Sequence, residues 1–315
     1  MLKLIGSRLL LVVPQLLIVS ALVFLMVYLV PGSPAASILG EAGSNPESIA
    51  RVEAELGLDR PFFVRLGEWF AAALTGDLGN SLLNGRPVAD QVLQRLPATL
   101  SLVGGGLLVA MVIGISLGVL AGTHARTGID RGVTAFSSLM QAIPEFWLGL
   151  ILIIVFVNGL GIAPVVAWVP PDQNLPAWLG GLILPCLALG AGASALIARQ
   201  TRTAVAAALS APYADTLTAA GVSRKRIIWV YALKNAMVPV LASSALAVSI
   251  LIGTSLVMEK VFGFPGIGTL LINSVAGKDF SVVQGAVLFV AILIIIVNLV
   301  VDILYGVINP KVRPQ

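Results

Sequence analysis

Six long apolar stretches constrain this chain more than anything else in it. They run at roughly 9–30, 98–122, 133–157, 179–198, 236–258 and 283–306, and each has the ~20 residues that carry a helix across a hydrocarbon core. No water is available there, so the backbone must satisfy its own hydrogen bonds, and helices do this within one segment. The expectation is an all-α integral membrane protein with six transmembrane helices. The first stretch, with Pro14 near its start, outruns the roughly 7–15 residues of a signal-peptide core and reads as a retained span. Composition agrees: 58% of residues are hydrophobic and 11% charged, against about a quarter charged in soluble proteins.

Orientation follows from the 19 basic residues. With the N-terminus inside, twelve fall on the cytoplasmic side: Lys3, Arg8, Arg126, Arg131, Arg199, Arg202, Arg224, Lys225, Arg226, Lys234, Lys311 and Arg313. Seven fall outside, five of them (Arg51, Arg60, Arg65, Arg86 and Arg95) in the long segment 31–97. Long segments translocate largely regardless of charge, so the short loops decide and both termini are expected in the cytoplasm. Basic residues scattered between spans give no phosphate-tracking face, which argues against nucleic acid as a partner; membrane lipid is the expected surroundings. Segment 31–97 holds eight of the fifteen acids, an expected helix at 46–56, and Phe62, Phe63, Trp69 and Phe70. It reads as a small extracytoplasmic subdomain with its own small core or docked on the membrane surface, after a first unit at 1–30 and before a core at 98–315.

Little in the chain suits reaction chemistry. Cys186 and His124 are single, which excludes a disulfide framework and cysteine- or histidine-cluster metal sites. Gly114-Ile115-Ser116-Leu117-Gly118 matches a nucleophile motif, but it lies in an apolar stretch without the strand–turn–helix setting that motif needs. Gly114, Gly118 and Gly122 instead form a small-residue stripe for close helix packing. Gly277-Lys278 is no nucleotide loop, because Ile272 stands where its first glycine belongs. Two acids fall within spans. Asp302, near the inner end of the last, reads as solvated; Glu145, after Pro144 in the middle of 133–157, reads as facing a water-filled path or as a structural hydrogen-bonding group.

The cytoplasmic loop 199–235 is too long for a mere connector. Pro212 starts and Gly221 ends a short helix with Tyr213, Leu217 and Gly221 on one side, and Arg224-Lys225-Arg226 follows. Such a helix lies on anionic lipid or docks into a cytoplasmic partner.

At this loop the chain resembles a known family. Pro212 to Gly221, then Leu233-Lys234-Asn235-Ala236-Met237-Val238-Pro239, is similar to the EAA loop of ABC importer permeases of the dipeptide/oligopeptide/nickel branch, although Asp215-Thr216-Leu217 replaces the Glu-Ala-Ala opening. Further matches follow in order: Val30-Pro31-Gly32-Ser33-Pro34, Leu56-Gly57-Leu58-Asp59-Arg60-Pro61, Gly76-Asp77-Leu78-Gly79, Arg95-Leu96-Pro97-Ala98-Thr99-Leu100, Ile143-Pro144-Glu145-Phe146-Trp147, and Glu259-Lys260-Val261-Phe262-Gly263-Phe264-Pro265-Gly266-Ile267-Gly268.

The resemblance implies type I ABC importer permease architecture in a prokaryotic plasma (inner) membrane. This chain would be the first of two related permeases, assembled with two cytoplasmic ATP-binding subunits and an extracytoplasmic solute-binding protein or lipoprotein. It would bind no cofactor and catalyse no reaction itself, ATP and Mg being held by the partner ATPases. Solute, most simply di- or oligopeptide, would move by alternating access. Coupling to the ATPases would fall to Tyr213, Asp215, Thr216, Leu217, Gly221 and Arg224. The path or its outer gate would involve Glu145 and the turn carrying Phe262, Phe264 and Pro265, placed at the outer membrane face; a turn that merely anchors the last hairpin is the plainer alternative. Nickel or another small solute is an alternative cargo, and a secondary transporter an alternative class.

Overall fold

The computed structural model describes residues 2–29, 34–39, 45–55, 57, 59–164 and 168–308. Lys311, Arg313 and Pro31 to Ser33 therefore lie outside the described residues, as do the side chains of Lys3, Arg8 and Asp302. The elements are helices: α1 (Leu2–Leu29), α2 (Pro34–Leu39), α3 (Pro46–Glu55), α4 (Phe62–Leu74), α5 (Val88–Thr123), α6 (Gly128–Ala142), α7 (Glu145–Leu152), α8 (Leu175–Leu209), α9 (Pro212–Ala219), α10 (Arg224–Arg226), α11 (Leu233–Val261), α12 (Ile267–Ala276) and α13 (Phe280–Ile308). Among the described residues there is no strand, only an isolated bridge between Asn80 and Pro87.

Four helical stretches are long and apolar enough to cross a membrane: Val88–Thr123, Leu175–Leu209, Arg224–Val261 and Phe280–Val300. Gly128–Ala142 with Glu145–Gly159 makes a fifth if the bent pair is one span. The stretch expected at 9–30 falls on α1, whose apolar part among the described residues is Val12–Leu25. The helices overrun the apolar cores that mark them. Residues 199–209, expected as loop, continue α8, and Arg224–Val261 runs on through a π turn at Ile227–Ala232.

One expected span is corrected. Segment 133–157 is not a single helix but two, bent by 94°. Pro144 has no N–H to donate and drives the residue before it out of the helical region, so Ile143 is extended at φ −86°, ψ 123° and Pro144 caps α7. Glu145 is accordingly the first residue of a helix, not the middle of one.

The chain divides into two compact units. The first contains Thr99–Phe264, with α8 at its centre: Leu182, Leu184, Leu189, Ile197 and Val205 are all buried. The glycine stripe of α5 lies directly on α8. A Cβ on Gly114 would stand 2.8 Å from the Ile197 Cβ, and one on Gly118 only 2.7 Å from the Ala198 carbonyl oxygen. With no hydrophobic drive between helices in lipid, such backbone proximity supplies the dispersion contacts that hold them. At the far end of these helices Val119, Val205 and Ala236 form a small buried cluster against Leu209, Ile228 and Leu233.

The second unit contains Ile5–Ala98 and Pro265–Ile295. Val88, Val92, Ile267, Leu270, Val282 and Ala286 make its core. Asn45 opens α3, its side-chain oxygen accepting from the Glu47 N–H at 3.0 Å. The aromatic residues of 31–97 dock on α1: Phe62 meets Phe24 edge-on at 5.4 Å, Trp69 lies 6.5 Å from the same ring, and the Arg65 guanidinium sits over it at 5.3 Å. Phe63 stays 82% exposed. A buried carboxylate, Asp279, pins the segment before α5: it accepts from the Ser81 hydroxyl and, at 3.1 Å, from the Leu82 N–H.

Candidate functional site

The short helix α9 forms as the sequence dictates. Ala211 is extended, Pro212 takes the first helical position where its missing N–H costs nothing, and Asp215 lies in the first turn. At the other end Gly221 adopts φ +76°. The Val222 N–H reaches the Leu217 carbonyl at 3.0 Å and the Gly221 N–H that of Thr218 at 3.0 Å, the paired bonds of a glycine-terminated helix.

One side of α9 is seated and the other is open. Ala214 is buried, and Tyr213 and Leu217 are half-buried. The Tyr213 hydroxyl accepts from Asn235 Nδ2 at 3.2 Å, which ties α9 to the start of α11. Asp215, Thr216, Gly221 and Arg224 are exposed. Thr216 turns its hydroxyl back to the Pro212 carbonyl at 3.1 Å. Thus α9 stands between the end of α8 and the start of α10, linked to each by a few residues. Of the six coupling candidates, Tyr213 and Leu217 hold the helix in place while the other four face out.

A second group of candidates surrounds α7. The half-buried Glu145 carboxylate lies over Gly192 of α8, an oxygen 2.9 Å from where a Cβ there would stand. It makes no hydrogen bond among the described residues. One turn on, Gly149 lets Phe262 and Met258 close on α7, since a Cβ there would lie 2.8 Å from the Phe262 ring. The expected tight turn is present: Gly263 is at φ +66°, and the Phe264 N–H reaches back to the Glu259 carbonyl at 2.8 Å. Phe262 and Phe264 point inward, 2% and 1% exposed, with Phe264 5.5 Å from the Trp168 ring. Gly149 leaves the room that the Phe262 ring takes, while Phe264 rests against Trp168. Phe262 and Gly263 also line a cavity of about 360 Å³ with Asn158 and Lys260. Pro265 is exposed and belongs to the other unit.

Sequence reasoning passed over Glu259 as a site residue. It is fully buried and accepts a hydrogen bond from the Thr99 hydroxyl at 2.6 Å. The signal was available, because Thr99 and Glu259 each sit in a family-like motif and the fold joins those motifs. Also missed was Asp130, which receives Arg202 through two bonds of 3.0 and 2.6 Å and the Arg126 N–H at 2.8 Å. The Arg202 hydrogen bonds, helped by the Arg126 N–H, hold this carboxyl down to about 2, below the usual carboxylate range. Asp130 stands in the first turn of α6, ahead of the apolar stretch that begins at 133.

Comparison with known proteins agrees with this picture. Residues 114–314 match the family described as binding-protein-dependent transport system inner membrane component, and residues 1–103 match its N-terminal companion. A protein of Brucella abortus (strain 2308) named for a peptide transport system permease is 38% identical over 96% of both chains. The glutathione transport system permease protein GsiC of Escherichia coli (strain K12) is 38% identical over 99% of both. A chain of the inward-facing MetNI methionine ABC transporter shares the fold, with a TM-score of 0.57 and 19% identity, over 69% of this chain and 96% of that one. With more than half its length matched by the family model and full-length relatives at 38% identity, this chain belongs to the binding-protein-dependent transport system inner membrane components, the permeases of ABC importers.

Proposed function

We propose that the chain is the first of two related permeases in an ATP-driven importer of di- or oligopeptides, a class that takes in glutathione-like solutes. The observation that carries the reading is α9: a helix seated on Ala214, Tyr213 and Leu217, open on its polar side, and short-linked to two spans. A partner pressing on it would move α8 and α11 directly. Asp215, Thr216 and Arg224 are the contacts we assign to an ATPase. The Tyr213–Asn235 bond is the link that passes its motion to α11. A ligand shifts an equilibrium only by its differential affinity for the two states, so these contacts must differ between inward- and outward-open forms.

Within the membrane, Glu145 is assigned to the path. A carboxylate at a helix break, with no hydrogen-bond partner among the described residues, can greet the ammonium group of a passing peptide without first breaking one of those contacts. Phe262 and Phe264, with the turn that holds them, are assigned to closing the outer end, Pro265 to contact with a docked binding protein. Both termini and segment 199–235, with the end of α8, α9 and α10, lie in the cytoplasm in this reading, and 31–97 lies outside. The peptide cargo rests on what the relatives are named for.

The test is isolation of the tagged chain from native membranes in mild detergent, followed by mass spectrometry and reconstitution into proteoliposomes. A second permease, ATP-binding subunits and a solute-binding protein should be retained, and ATP-dependent peptide uptake should fall at least tenfold in Asp215→Arg. Recovery of this chain alone from several mild detergents would refute the reading.

A further inference from the structure

Helix α6 packs on α8 with its polar side and turns its apolar side outward. Asp130 reaches Arg202 and Gln141 receives Arg199, while Ile129, Phe136 and Leu139 are 45%, 47% and 56% exposed. Between the helices lies a cavity of about 300 Å³, lined by Thr134, Ser137, Arg199 and Arg202 with the smaller Ala121 and Ala198. Admitting one water takes only ~10–15 Å³, so there is room for a polyatomic group.

The charges in this cavity do not balance. Arg202 is matched by Asp130. Arg199 is half-buried, yet among the described residues its guanidinium bonds only the neutral side-chain oxygen of Gln141. Ser137 is 3% exposed, and neither its hydroxyl nor that of Thr134 has a partner among the described residues. The half-buried Arg199 guanidinium, the hydroxyl of the buried Ser137 and that of the exposed Thr134 are donors that line one cavity, and an acceptor entering it would meet all three. Oxyanions meet this need, because guanidinium and hydroxyl donors match their oxygens in geometry and charge.

We propose that this cavity is an oxyanion site of the phosphate class, held by Arg199 with Ser137 and Thr134. In the topology proposed above it lies at the cytoplasmic ends of α6 and α8. The oxyanion is then the headgroup phosphate of an anionic phospholipid or free phosphate. The outward apolar side of α6 favours the lipid, whose acyl chains would lie along Ile129, Phe136 and Leu139.

The experiment places the full chain in phosphatidylcholine nanodiscs doped with phosphatidylglycerol and counts retained phosphatidylglycerol by native mass spectrometry. A parallel arm titrates inorganic phosphate into the chain in phosphatidylcholine alone. Wild type should retain phosphatidylglycerol selectively, and Arg199→Gln should weaken that retention about tenfold, as loss of a charge-assisted bond does. Ser137→Ala leaves both α6–α8 side-chain bonds in place and should weaken it without lowering thermal stability. Phosphate binding with the same dependence on Arg199, and no lipid preference, would keep the site and name free phosphate as its occupant. Retention equal in all three proteins, with no Arg199-dependent phosphate binding, would overturn the proposal. No transport is read, so a failure here leaves the import function standing.

Discussion

Two buried carboxylates, Glu259 and Asp279, are each met by a hydroxyl from far away in the sequence. Asp279 also takes the Leu82 and Val282 N–H groups, so Asp279→Ala strands three donors at once. We expect a loss of about 2–4 kcal/mol, seen as an earlier thermal unfolding midpoint in detergent, with Ser81→Ala costing about a third as much. Asp130 gives a pH prediction. Its folded pKa is depressed, so its contribution to stability is complete above the ordinary carboxylate value near 3.8 and disappears as pH falls toward about 2. The gap in unfolding midpoint between wild type and Asp130→Asn should therefore be flat from pH 8 to 5 and close below about 4. These acids show where sequence reading ran short. Glu259 stood one residue beyond the stretch assigned to the bilayer, and only tertiary structure reveals that a charge at a span's end is sealed from solvent.

At the scale of elements, the stripe on α5 and the glycine that ends α9 make sharp demands. Gly118→Leu would drive its side chain into Thr201 and the Ala198 carbonyl, parting α5 from α8, and we expect expression in the membrane to collapse. Gly221→Ala places a Cβ at φ +76° in open space, so it should cost only about 1–2 kcal/mol and preserve assembly. Quantitative membrane blots distinguish the two outcomes. The start, stop and one-sided face of α9 were readable because Pro212 and Gly221 act through local backbone geometry. The glycine stripe was readable for the same reason that it packs. The break at Pro144 was not, since an apolar run interrupted by one proline reads like a kinked span; only the extended Ile143 turns a kink into a 94° bend. Nor could periodicity say that Phe262 turns inward, because that depends on the space left at Gly149 in another helix.

For the whole molecule, Cys186 is buried and is the only cysteine, which leaves a silent background for thiol labelling. In the proposed topology an impermeant maleimide should label Ser48→Cys in spheroplasts and Asp215→Cys only in inverted vesicles. Labelling of both from one side would reverse or break the assignment. The reading of a six-span permease came from apolar length and motif order, both of which survive without coordinates, whereas the division into two units depends on contacts no linear pattern reveals. The length of α8 has a mechanical corollary. Thirty-five residues at 1.5 Å each make a rod of about 52 Å, against roughly 30 Å of hydrocarbon. In the proposed topology the surplus would act as a pushrod: it would lift α9 clear of the lipid headgroups, so that the ATPase assigned above could grip it without wading into the bilayer, and modest changes in membrane thickness would be absorbed in the shaft before they reached the grip.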